Sequence, residues 1–196
     1  MIGDASTQSP LTSTWRARIL TTPPLITPAR QFMYPLHVPG EDDAMGRGAL
    51  LLDIKPANAP NFLATCALGF RDSTLPTGIF PAPRPDDILA VAGGYAYLID
   101  TSAPEHCLHL PLRPTTQILH APSASLILLA GFHNIIAIDT TGLRWQSARL
   151  SWEGVTMTEV RGGHLHGTGW NLHTDRDVPF SIELGTGTHT GGGFTP

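Results

Sequence analysis

Nine histidines are spread over 196 residues, and the densest group is His164-Leu165-His166, followed by His173 and Asp175. Side chains two apart on a strand point to one face, so His164 and His166 would present two imidazoles together. With His173 from the next loop as a third ligand, the set would leave an open position of the catalytic kind. A metal-dependent enzyme is therefore one reading of the chain. The competing reading is a polar, solvent-facing strand side with Leu165 buried opposite. No HExxH, no CxxC pair and no carboxylate at fixed helical spacing reinforces the metal. His106 and His109, three apart, fall on opposite faces of a regular strand and cannot line one site. Nucleophile signatures are missing as well: there is no GxSxG elbow, and neither Cys66 nor Cys107 sits in a recognisable Cys–His pairing.

A second group lies in the loop over 170–178, where Trp170, Asp175 and Arg176 bring aromatic, acidic and cationic groups together. It is longer than its counterparts AGG and GFH, and loops on a rigid β scaffold are where recognition tends to sit. Alternatively, Trp170 packs between neighbouring units while Asp175 and Arg176 form a surface pair worth little. Asp86-Asp87 and Asp42-Asp43 are flanked by Pro or Gly and read as turn chemistry. Gly191-Gly192-Gly193 has no helix behind it to make a phosphate site. With no catalytic set assembled, the expectation is a non-catalytic interaction module, without a cofactor, that binds a protein or small ligand through its inter-strand loops. The His164/His166/His173 enzyme is the alternative.

The elements that must carry these groups recur. Ile79 in GIFPAP returns as Ile118 in QILHAP, 39 residues on, and Met157 follows after another 39. Each passage leads into a strand, a tight turn and a second strand, the second ones ending at Asp100, Asp139 and Glu183. No stretch has convincing 3.6-residue periodicity. Four-stranded units at a period near 40 are the pattern of propeller blades, in which neighbours stack because a lone unit cannot bury its faces. The fold class predicted is all-β, a propeller-like array of about four antiparallel four-stranded units, the first of them divergent. Residues 1–30, rich in Ser, Thr and Pro, are expected to be a poorly ordered tail to which TWRARILTTP contributes at most an edge strand; residues 31–196 form one domain. If the ring is incomplete, its end faces must be covered by that tail or by a second copy, which makes a homodimer an expectation.

The run Ile135-Ile-Ala-Ile-Asp139-Thr-Thr141-Gly142-Leu-Arg-Trp145 resembles the repeat of quinoprotein-type and WD40-like β-propellers. The resemblance implies that Asp139, Thr141 and Gly142 shape a turn and that Trp145 docks against the next unit. Ser181-Ile-Glu-Leu-Gly-Thr186-Gly187 carries the turn half without the Trp, and Tyr97-Leu-Ile-Asp100-Thr-Ser departs further. The quinone is not implied here, because its enzymes use roughly twice the blades that this chain builds at ~45 residues each. Fold-level likeness is nearly silent on function.

Composition limits the partners. The net charge is −4, and the eleven Arg and single Lys55 are scattered, which argues against a nucleic-acid surface. No run approaches the ~18 consecutive apolar residues that span a bilayer. The first fifteen residues lack the apolar stretch of a secretory signal, so a cytoplasmic address is expected. Cys66 and Cys107 then read as two buried thiols in similar strands, with a disulfide as the other possibility.

Overall fold

The computed structural model describes residues 12–35 and 44–195. Those residues form four separate four-stranded sheets, so the all-β class holds. The first sheet contains β1 (Trp15–Leu20), β2 (Arg30–Tyr34), β3 (Ala49–Pro56) and β4 (Phe62–Ala67). The second contains β5 (Gly78–Pro81), β6 (Asp87–Ala92), β7 (Tyr95–Asp100) and β8 (Leu108–His109). The third runs through β9 (Gln117–Ala121), β10 (Leu126–Ala130), β11 (Ile135–Asp139) and β12 (Gly142–Gln146). The fourth runs through β13 (Val155–Arg161), β14 (His164–Asn171), β15 (Arg176–Glu183) and β16 (His189–Gly191).

Sheets two to four are antiparallel meanders whose strands lie in chain order. Their hairpins are set by turn chemistry. Gly93-Gly94, at φ +53° and +79°, joins Ala92 to Tyr95, and Gly162-Gly163, at +60° and +77°, joins Arg161 to His164. Two positive φ angles in a row make the tight reversal that matches strand twist, and glycine adopts them without a Cβ penalty.

Three apolar clusters join consecutive sheets. Leu52, Ile54 and Phe62 of the first meet Ile88, Ala90 and Tyr97 of the second. Leu89 and Val91, on the other side of the second, meet Ile127, Leu129 and Ile136 of the third. Leu128, Ala137 and Trp145 of the third meet Leu165, Phe180 and Ile182 of the fourth. The runs DILAVA and LILLA are buried at every position because both faces of their sheets are covered. Strands β3 and β14 alternate instead, with one face packed and one turned away. Among the described residues, no core cluster joins the fourth sheet to the first.

The first sheet corrects two expectations. Its order is β1-β3-β4-β2, and β2 pairs with β4 in parallel, so the unit is mixed rather than antiparallel. The ordered fold also begins well before residue 31, since β1 pairs with β3 from Trp15↔Pro56 to Leu20↔Leu51. Trp15 Nε1 donates to the Asp87 carbonyl at 2.9 Å, which ties β1 to the second sheet. The rest of the expected tail, residues 1–11, lies outside the described residues.

Candidate functional site

The sequence's metal candidates sit on the outward face of β14. His164 is exposed and His166 half-buried, with Leu165 fully buried between them. Their ring centroids are 6.4 Å apart, so the two imidazoles do share a face. His173 does not join them. It lies in the turn beyond Asn171, at the other end of an eight-residue strand, roughly 20 Å or more away at ~3.3 Å per residue. There it packs edge-on against Trp152, with centroids 5.7 Å apart. His164 Nδ1 lies 3.0 Å from the Gly162 carbonyl, and His166 faces Ser181 and Glu159 across the sheet. Among the described residues, no group of three His, Cys, Asp or Glu side chains is placed to hold a metal ion.

The loop candidates come together differently. Trp170 Nε1 donates to Asp175 Oδ1 at 3.1 Å, on the outward side of the fourth sheet, so the indole does not dock between sheets. Asp175 takes a left-handed conformation at φ +51° to make the turn, and Arg176, exposed, opens β15. Trp145, by contrast, does dock between the third and fourth sheets. Its Nε1 donates to the Leu184 carbonyl at 2.8 Å, and a Cβ on Gly187 would come within 2.7 Å of its ring. Asp139 Oδ1 accepts from the amide and hydroxyl of Thr141 at 2.7 and 2.6 Å, holding the turn before it. Those hydrogen bonds, with Arg144 beside it, keep the Asp139 carboxyl below the ordinary carboxylate range.

A cleft that sequence reasoning missed lies between the first two sheets, with a volume of about 500 Å³. Phe32, Met33 and Tyr34 of β2 form one wall, and Glu105, Cys107 and His109 form the other. Alternation along β2 puts Arg30, Phe32 and Tyr34 on one side, where Phe32 and Tyr34 stack at 6.5 Å with planes 8° apart. The Tyr34 hydroxyl donates to the Pro104 carbonyl at 2.6 Å, closing the cleft's floor onto the second sheet. Burial, reinforced by the nearby thiols and Glu105, pushes the Tyr34 phenol up, so it stays neutral and remains a donor.

Desolvation pushes the half-buried Cys107 thiol up to about 12 and raises the fully buried Cys66 in the adjoining core. Burial disfavours the charged thiolate at both positions. The sequence signals for this site are local and weak. The period-2 patterns of RQFMY and of CLH give each wall, but nothing in either segment says that the two walls face each other.

No family model matches the sequence, and no curated protein matches it.

Proposed function

We propose that the chain is a non-catalytic binding module, a propeller-like array of four blades that takes a small ligand in the cleft between its first two sheets. The observation that carries this reading is the cleft itself. It is apolar-walled, of ligand size, and backed by two sheets that share one core. Pockets of that volume with few polar groups are the usual form of small-molecule sites. The blade arrangement is supported by the 39-residue recurrence, by cores shared between consecutive sheets, and by Trp145 seated against the fourth sheet. Both cysteines are free although they border the same core, which fits a reducing, cytoplasmic compartment.

The loop at 170–178 contributes less, because Trp170 and Asp175 satisfy each other. Ligand-observed NMR with a library of small, partly apolar molecules tests the reading. Hits are expected to compete with one another and to be lost in Glu105→Trp, which places a bulky ring in the cleft from an exposed position of its second wall (side chain 57% exposed). Hits that persist in that variant, or no hits at all, would overturn the cleft as the binding site.

A further inference from the structure

The chemistry of the cleft walls narrows the ligand, on the premise that the cleft is the binding site. Among the described residues, Glu105 is the acidic group of the lining, and no Lys or Arg lines it. The aromatic wall already accepts a cation from within the chain. The guanidinium of Arg30 lies 5.4 Å from the Phe32 ring centre and 5.9 Å from that of Phe62. It also stands 4.0 Å from a Glu105 carboxylate oxygen, at the limit of an ion pair, while Arg30 Nη1 donates to the Pro60 carbonyl at 3.3 Å. Arg30 borders the cleft without lining it, and its contacts show that the Phe32 ring and the Glu105 carboxylate, both of which do line the cleft, favour positive charge.

An ordinary ammonium would bring N–H groups into a mostly apolar wall, where leaving them unpaired is costly. A quaternary ammonium has none, is weakly hydrated, and gains from ring faces and a nearby carboxylate. We infer that the cleft binds an organic cation of the quaternary ammonium type, with Phe32 supplying the ring face, the largely buried Tyr34 the floor and Glu105 the counter-charge.

Calorimetry on the full chain with choline and with its neutral isostere 3,3-dimethyl-1-butanol tests this directly. Choline is expected to bind at least about tenfold more tightly. Glu105→Gln, at a side chain 57% exposed and so harmless to folding, is expected to weaken choline about fivefold and leave the alcohol unchanged. Arg30→Gln is expected to tighten choline, because it vacates the ring face and frees Glu105. Equal binding of choline and the alcohol, or tighter binding of the alcohol, would overturn the cation while leaving the cleft as a ligand site. Binding of neither, while other fragments are lost in Glu105→Trp, would do the same. Failure of every fragment would instead bring down the binding-module reading itself. A parallel titration with acetylated, amidated trimethyllysine assigns the source, free small molecule or modified side chain, by whichever binds more tightly.

Discussion

Arg84 shows how much one side chain can organise at a junction. Its Nη2 lies 2.6 Å from Asp87 Oδ1 and 2.5 Å from Asp100 Oδ2, with side-chain exposures of 39%, 10% and 19%. Burial raises the Asp87 carboxyl, against the pull of Arg84. Burial acts upward on Asp100 too, but hydrogen bonds from Ser102 and Arg84 outweigh it and hold the carboxyl at about 2. Read alone, Asp86-Asp87 resembles turn chemistry, because Arg84 is a local partner within the turn and Asp100 joins the pair only when β6 pairs with β7 at Asp87↔Asp100. Replacing Arg84 by Met leaves two carboxylates together, one of them buried. The expected cost is roughly 2 kcal/mol at pH 7, below the fully buried case because Arg84 is partly exposed. The pH dependence has a definite sign. The depressed Asp100 stabilises the native protein above its unfolded pKa, and that contribution is lost as pH falls toward 2. In Arg84→Met both carboxyls rise and protonate earlier, so the deficit should shrink between pH 7 and pH 4. Urea denaturation at the two pH values measures it, and a deficit independent of pH would mean that Arg84 acts by packing alone.

At the scale of elements, the meanders were legible and the first sheet was not, for a physical reason. In sheets two to four each strand pairs with the next along the chain, so the hydrophobic pattern and the turn residues sit side by side in the sequence. Asp139, Thr141, Gly142 and Trp145 were legible for the same reason, their partners being local or one repeat away. Strand β2 instead pairs in parallel with β4, some thirty residues on, and β1 lies at the opposite edge. Both run in the direction of β4, so residues 21–29 must cross a face of the sheet. The inner face is filled by the core shared with sheet two, which leaves the outer one, where Leu63 is only 5% exposed. A Pro- and Thr-rich stretch that looks like a loose tail is therefore the strap that carries the chain from one edge of the sheet to the other, its Leu25 and Ile26 turned to solvent. The cleft was illegible with it, since one of its walls is β2. A chain beginning at Arg30 would lose β1 and the strap, baring the β3 edge and the outer face of the sheet. Its melting temperature by circular dichroism is expected to fall by about 10 °C or more, or the protein to aggregate. Unchanged melting would show residues 1–29 to be dispensable.

For the whole molecule, the burial patterns set how stability is shared. Sheets two and three are covered on both faces, while sheets one and four each contribute one face to the core. The outward face of sheet four is polar, with Thr156, His164, Ser181 and Glu183 placed by register on one side. Such a face finishes a stack in water without a further layer. Coupling between the ends must then pass through the middle sheets, so opening can begin at an end without dissolving the rest. Leu165→Ala, at a fully buried position between sheets three and four, is expected to cost about 3 kcal/mol through loss of contacts and the cavity left behind. Hydrogen exchange should then accelerate over 155–191 while the amides of β6 and β7 keep their protection. Leu129→Ala, between sheets two and three, removes a similar side chain from the centre and should loosen both sides together. If Leu165→Ala instead speeds exchange uniformly from β3 to β16, the four sheets unfold as one unit. Their order along the stack would then have no energetic meaning.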